Sequence, residues 1–293
     1  MKDLIRNALT IDVEEWFQVA ALSPYIDRDS WERLESRVET KTRRLLQILA
    51  AHNVKATFFI LGWIAERHPQ LVRDIAGLGH EIACHGFSHE LIYRQTPEQF
   101  RSETRRAKQV LENIVGVPVE GYRAATYSIT GRSLWALDIL IAEGFRYDSS
   151  IFPVRHPQYG IPGSVRFPHV LTAPSGGQII EFPLSTARIF GASIPVAGGG
   201  YFRQFPYVYT KLGLHSINLL ERKPAIFYLH PWELDPEQPR IEVSLPARVR
   251  HYHNLEKTEA RLNLLLRDFR FTTVQQVLKL QGLLAPLKFR TAA

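Results

Sequence analysis

Four short segments hold polar residues that a fold alone does not require: Thr10-Ile11-Asp12-Val13-Glu14, His85-Gly86-Phe87-Ser88-His89, Arg123-Ala124-Ala125-Thr126-Tyr127 and Leu229-His230. Each follows or closes an apolar run that reads as a buried strand. Together they supply two carboxylates, a His-x3-His pair, an arginine and a further histidine, which is the inventory of a metal-assisted hydrolase. Residues i and i+2 of an extended strand share a face, so Asp12 and Glu14 should project together while Val13 packs opposite. Adjacent carboxylates repel; they coexist if one binds a cation and the other meets a cationic partner, for which Arg123 is the candidate. Histidines four apart can turn both rings to one side of a helical turn or tight loop, as zinc and related metals require, and Gly86 would permit a sharp turn. His230 emerges from the apolar run Ile226-Phe227-Tyr228-Leu229. Burial would lower its pKa and a carboxylate neighbour would raise it, and either can set it for proton donation near neutrality. Each feature alone has a plainer explanation: a solvated acid pair at a strand end, one packed and one solvated histidine, a histidine bonded to a backbone carbonyl.

The elements that must position these residues alternate. Ala8 to Val13 reads as a strand, and Ser30 as the cap of a helix carrying Val38, Thr42, Leu45 and Leu49. Val54 to Leu61 is a strand, Trp63 to Leu78 a helix stopped by Gly79, and His80 to Cys84 the next strand. Pro97 opens a helix that ends at Gly116, Val117 to Tyr122 returns as a strand, Thr130 to Glu143 is helical and Phe145 to Tyr147 is again a strand. Such βα alternation implies a parallel sheet, doubly wound or closed into a barrel. The barrel is the better expectation, because chemistry there gathers at strand C-termini and Asp12, His85, Arg123 and His230 all fall at such ends. From 150 to 200 the pattern loosens, with frequent Pro and Gly and the run Gly198-Gly199-Gly200. Gln178 to Phe182 reads as a strand, Phe205 to Glu221 as a helix, Ala225 to Leu229 as a strand and His251 to Arg267 as a helix, with Thr272 to Gln281 closing the domain. The expectation is one domain over 1–293, with core motifs in 8–150 and a decorated C-terminal half.

The 293 residues and a 45% hydrophobic fraction support a sizeable core. The opening Met1-Lys2-Asp3-Leu4-Ile5-Arg6-Asn7 carries charges where a signal peptide needs an apolar stretch, and no run has the length of a membrane span. A single cysteine, Cys84, cannot form an internal disulfide. Both features point to the cytoplasm. The net charge of +7 could attract a nucleic acid, an anionic polymer or a membrane surface. Its Lys and Arg are interleaved with Glu along helical segments, as solvated faces are, and no basic tract alternates with stacking aromatics, which excludes nucleic acid as a partner.

The ordered motifs resemble the polysaccharide deacetylases of carbohydrate esterase family 4, the NodB-homology domain, over most of the chain. The resemblance implies an α/β fold, a distorted (β/α) barrel. It also implies Asp12 as catalytic base, Glu14, His85 and His89 as metal ligands, Arg123 as the group orienting Asp12, and His230 as the acid. The stretches Thr10 to Phe17, Tyr147 to Pro153 and Gly198 to Arg203 look like the subgroup encoded with exosortase and exopolysaccharide systems. Three departures stand out. The family form has adjacent aspartates, whereas Val13 separates the acids here, so that Asp12 itself could bind metal; Gly86 replaces a usual Ser or Thr; and Ala125 replaces a usual proline with its fixed φ.

The implied reaction is removal of an N-acetyl group, with O-acetyl as the lesser option, from a polysaccharide or its precursor. The implied cofactor is a divalent metal, zinc first among the transition metals, and the implied partners are an N-acetylated carbohydrate and an exopolysaccharide assembly machinery. A backbone N–H near Tyr127 would stabilise the oxyanion, Leu229 and Trp232 would shape an apolar pocket for the acetyl methyl, and Asp148 or Glu181 would orient His230. Two other functions remain open: a metal-dependent amidohydrolase acting on a small cyclic or linear amide, and an inactive carbohydrate-binding component of an export system, for which Gly86 and Ala125 would be signs of decay.

Overall fold

The structure, a computed structural model, describes residues 5–285; residues 1–4 of the charged opening lie outside them. β1 (Arg6–Val13) is followed by α1 (Val38–Ala51), β2 (Thr57–Ile60), α2 (Gly62–Arg67), α3 (Pro69–Gly77), β3 (Glu81–Cys84), α4 (Pro97–Val115), β4 (Gly121–Tyr122), α5 (Trp135–Ala142) and β5 (Tyr147–Asp148). The second half holds β6 (His169–Thr172), β7 (Gln178–Glu181), the hairpin of β8 (Thr186–Ile189) and β9 (Ala192–Pro195), α6 (Gly199–Gln204), α7 (Tyr207–His215), β10 (Ile226–Leu229), α8 (Leu245–Tyr252), α9 (Leu255–Asp268), β11 (Arg270–Thr272) and α10 (Val274–Leu280).

A nine-stranded sheet runs β10-β1-β2-β3-β4-β5-β7-β6, with β11 also paired to β1, so both halves of the chain contribute strands to it. All pairings are parallel except β6 with β7. The gap between β7 and β10 is closed irregularly: Ile226 N–H donates to Ser185 Oγ at 2.7 Å and Tyr228 N–H to Ala197 O at 2.7 Å. The outcome is the distorted (β/α) barrel expected from the alternation. Register then positions the chemistry. Ile11 pairs with Leu229, Val13 with Ile60, Ile60 with Cys84 and Cys84 with Tyr122. The residues that follow these positions, Asp12 to Glu14, His85, Arg123 and His230, therefore leave the sheet at one rim.

Several element boundaries differ from the sequence reading for identifiable reasons. No helix starts at Ser30: residues 28–33 form a short 3-10 turn and α1 begins at Val38. Its cap comes from far away, where the buried Glu15 carboxylate accepts the Arg37 N–H at 3.0 Å and the Val38 N–H at 3.3 Å, an anion at a helix N-terminus. Pro69 divides the expected 63–78 helix into α2 and α3. Asn254, at φ +56°, divides the expected 251–267 helix into α8 and α9. The hairpin of β8 and β9 was not anticipated, because its strands lie among the turn formers of the loosened stretch.

At the rim opposite the chemistry, the buried His80 accepts the Ala56 N–H on Nδ1 at 3.1 Å, which requires the neutral ring. Burial, reinforced by Lys55, lowers its pKa to about 4. The unfolded chain, with a histidine near its ordinary value, binds a proton first as pH falls, so this contribution to stability is complete above about 6.5 and is lost between about 6.5 and 4. Urea midpoints should fall across that window in the native protein and fall less steeply in His80→Gln; equal slopes would remove His80 as the cause.

Candidate metal and catalytic site

Alternation along β1 places Val13 in the core and turns Asp12 and Glu14 into a cavity of about 300 Å3, where His85, His89, Tyr127, His230 and Trp232 join them. Glu14, His85 and His89 each present a ligand atom, all within 4.8 Å of one another. His85 is fixed by its other nitrogen: Nδ1 lies 2.8 Å from the Arg123 carbonyl, to which it donates, leaving Nε2 as the free lone pair. Burial holds its pKa down at about 4, in the neutral form that binds metals. Gly86 has φ +76°, the turn expected of it, and the loop is pinned to the start of α2 by Gly62 N–H to Gly86 O at 2.9 Å and Trp63 N–H to Phe87 O at 3.1 Å. His89 itself is left-handed at φ +54°. It turns Nε2 to within 2.7 Å of Glu14 Oε2, yet that buried oxygen has no aligned hydrogen-bond donor. Burial alone would raise the Glu14 pKa, but His89, His230 and His85 bring it down to about 2. A buried anionic oxygen beside two ring nitrogens, close without a hydrogen bond, fits a shared cation.

Asp12 is held from the other side. Its Oδ1 accepts from Arg123 Nη1 at 2.6 Å, and the fully buried guanidinium is itself fixed by Thr10 Oγ1 at 2.8 Å, Ser149 O at 3.2 Å and Ser149 Oγ at 3.0 Å. Asp12 Oδ2 faces the cavity, 3.4 Å from the Tyr127 hydroxyl and 4.0 Å from His230 Nε2. Thr126 and Tyr127, at φ +53° and +54°, form a strained corner of the kind found at functional sites. The Tyr127 N–H is already bonded to Ala124 O at 3.0 Å, and the neighbouring Thr126 lines the cavity.

His230 Nε2 also lies 3.4 Å from Glu14 Oε1. The group that orients it is neither Asp148 nor Glu181 but Glu233, whose Oε1 is 2.7 Å from His230 Nδ1. Pro231 starts a 3-10 turn that brings Glu233 back over His230. Burial alone would depress the imidazole, but Glu14, Glu233 and Asp12 raise it to about 9. Behind it the buried Arg203 donates Nε to Glu233 Oε2 at 2.6 Å and its other nitrogens to the carbonyls of Arg250, His251 and His253. Burial would raise Glu233, but Arg203 and His230 hold it below the usual carboxylate range. Trp232 stacks on His230 with centroids 5.1 Å apart and donates Nε1–H to Glu14 Oε1 at 3.2 Å.

Three sequence expectations are corrected by these positions. Leu229 does not line the cavity: alternation along β10 gives Tyr228 to the cavity and Leu229 to the core. Asp148 and Glu181 face each other across β5 and β7, where burial pushes both upward and the like charge of Asp148 pushes Glu181 well above the usual range. One proton shared by the pair satisfies Asp148 Oδ2 and Glu181 Oε2, which have no other donor. Their other oxygens accept Ser150 Oγ–H at 2.5 Å and Ile151 N–H at 3.0 Å, so the pair braces the segment that holds Arg123. Glu233 could have been found from its spacing, three residues beyond a histidine in a Pro-started turn. A buried Arg203 leaves no local signal.

Residues 29–140 match the family described as polysaccharide deacetylase, and residues 149–279 match the domain of unknown function DUF3473. The chain is 29% identical over 147 residues to the peptidoglycan-N-acetylglucosamine deacetylase of Bacillus cereus, covering 46% of this chain and 52% of that protein. It is 29% identical over 99 residues to a chitooligosaccharide deacetylase of Bradyrhizobium, covering 34% and 43%. It thus spans about half or less of the length of these curated relatives. In three dimensions it is similar to a candidate polysaccharide deacetylase from Mycobacterium smegmatis, at 21% identity and TM-score 0.63 over 98% of this chain and 94% of that one. It is also similar to PuuE allantoinase, at 15% and 0.62 over 97% and 92%; both are likenesses of fold. His85, His89, Arg123 and Tyr127 fall within the first matched segment, Asp12 and Glu14 precede it, and Arg203, His230 and Glu233 fall within the second. Residues 29–140 thus carry a polysaccharide deacetylase segment and residues 149–279 a DUF3473 segment, and the site draws on both and on the strand that precedes them.

Proposed function

We propose that the protein is a metal-dependent deacetylase that hydrolyses the N-acetyl amide of a carbohydrate, in preference to an O-acetyl ester. The observation that carries this reading is the convergence of Glu14, His85 and His89 beside an Asp12 that Arg123 holds apart from them. Glu14, His85 and His89 would hold a divalent ion, and the two imidazoles with one carboxylate favour zinc. Such an ion supplies Lewis-acid polarisation of the amide carbonyl and an acidified water.

The chain's own residues do the rest. Arg123 and the Tyr127 hydroxyl aim Asp12 Oδ2 at the cavity, where it takes the proton of the attacking water. The Thr126 amide stands at the corner where an oxyanion would develop. His230, held by Glu233 with Nε2 towards both acids, delivers a proton to the departing amine, so that water and amide leave as acetate and a free amine. Trp232 packs beside His230 and closes the apolar side of the acetyl pocket. Arg123 and Asp12 form a buried charge pair, so the base is oriented before substrate arrives.

The relatives named as peptidoglycan and chitooligosaccharide deacetylases support a polymeric or oligomeric N-acetylated sugar. The resemblance of Thr10 to Phe17, Tyr147 to Pro153 and Gly198 to Arg203 to exopolysaccharide-associated proteins supports action on a polysaccharide or its precursor in that biosynthesis. The lone, buried Cys84 is in keeping with a cytoplasmic setting. Metal analysis of the purified protein together with acetate release from N-acetylated oligosaccharides tests the reading. Bound metal with acetate release supports it. Bound metal with no acetate from any sugar would move the assignment to another amide, and a metal-free, inactive protein that still binds glycan would make it a binding component.

A further inference from the structure

The second half of the chain carries a surface that the site does not use. Exposed large apolar residues concentrate between positions 189 and 220: Ile189, Phe190, Phe205, Val208, Leu212, Leu219 and Leu220. Phe190, at the tip of the hairpin of β8 and β9, is fully exposed, and Leu212 and Leu220 are 65% and 80% exposed. Val208 and Leu212 are one turn apart on α7, and Leu219 and Leu220 lie in the π-turn that continues it.

Hairpin and helix are clamped into one body. Gly213 of α7 sits so close to Val196, the residue after β9, that a Cβ there would come within 2.5 Å of it. The Tyr209 hydroxyl donates to Pro195 O at 2.7 Å. Arg166 bonds both Thr186 of β8 at 2.9 Å and Glu221, just past the π-turn, at 2.5 Å. These contacts hold the hairpin and the helix together and leave the apolar residues named above exposed.

The charges around this surface have one sign. Arg188, Arg222 and Lys223 are exposed and have no acidic partner among the described residues. The acids nearby are already engaged, Glu221 with Arg166 and Asp268 with Lys211 at 2.9 Å and Tyr207 at 2.7 Å. No helix among the described residues is long and apolar enough to cross a membrane. A protruding aromatic tip and an aliphatic helix edge, ringed by free cations, match the two components of interfacial attachment, shallow apolar insertion and attraction to anionic headgroups. A protein partner of ordinary composition would meet uncompensated cations at the rim; an anionic lipid surface neutralises them.

We propose that the face formed by the hairpin of β8 and β9 together with α7 and its π-turn docks the protein on an anionic lipid surface. The net charge of +7, interleaved elsewhere with acids, has on this face an apolar companion. The proposal is independent of the deacetylase reading.

Flotation of the full chain with vesicles of phosphatidylcholine alone, and of phosphatidylcholine mixed with phosphatidylglycerol, tests it. The native protein should float with the mixed vesicles and stay behind with the neutral ones, and added salt should release it. The double variant Phe190→Ser, Leu220→Ser and, separately, Arg188→Ser with Lys223→Ser should each weaken the partition about tenfold or more. Because all four side chains are exposed, circular dichroism and thermal midpoints should stay unchanged. Failure of the native protein to float with anionic vesicles, or undiminished flotation of both variants, overturns the proposal. So does a concentration-dependent dimer abolished by the Phe190 and Leu220 substitutions, which would give the face to a second copy of the chain.

Discussion

Replacing Asp12 by Asn should leave the metal content of the protein unchanged and lower kcat by about 10^2 to 10^4, the range of a lost general base. The amide keeps the shape of the carboxyl and one acceptor for Arg123, so the cradle of Thr10, Ser149 and Arg123 should persist. His85→Ala should lose both metal and turnover, because it deletes the one ligand that the Arg123 carbonyl fixes. Metal analysis and acetate release on the two variants separate their functions. Normal turnover by Asp12→Asn would remove it from the chemistry, and loss of metal from that variant would make it a ligand instead.

The second large effect concerns the chain of contacts behind His230. Arg203→Ala strands the fully buried Glu233 carboxylate with only a histidine beside it and releases three backbone carbonyls of the segment around α8. Breaking a buried ion pair from one side costs about 3–5 kcal/mol, a loss that denaturant unfolding reads directly. Glu233→Gln is the gentler probe. It retains the volume but removes the charge that holds His230 Nδ1, and kcat should fall by about 10^2 or more while metal content stays constant. If Glu233→Gln turns over like the native protein, the orientation of His230 by Glu233 has no catalytic consequence.

The parts of this fold that were legible in the sequence are those set by local periodicity. The alternation of apolar strand and amphipathic helix as far as β5 follows from side-chain spacing, and the i, i+2 rule was enough to put Asp12 and Glu14 on one face. Gly86 could be assigned its turn because few other residues accept a positive φ without strain. What escaped depends on contacts between distant segments. Glu15 caps α1 from the end of β1, a bond that displaced the helix start from Ser30 to Val38. Tyr228 faces the cavity in place of the expected Leu229 because the face each occupies is fixed by pairing of β10 with β1, which no pattern within a short buried strand reveals. Asp148 and Glu181 were read as separate candidates for His230; their alignment across β5 and β7 makes them partners of each other instead.

The β1 and β10 ladder also governs how the reaction centre can move. Asp12 and His230 project from neighbouring strands joined by parallel pairing, so the span between proton acceptor and proton donor is tied to the interstrand distance of about 4.8 Å. The backbones that carry these two jaws cannot part to admit a sugar without breaking the pairing of β1 with β10. Adjustment to a ligand must therefore come from the walls that rise above them, and the catalytic gap behaves as a fixed gauge against which an acetylated ring is measured.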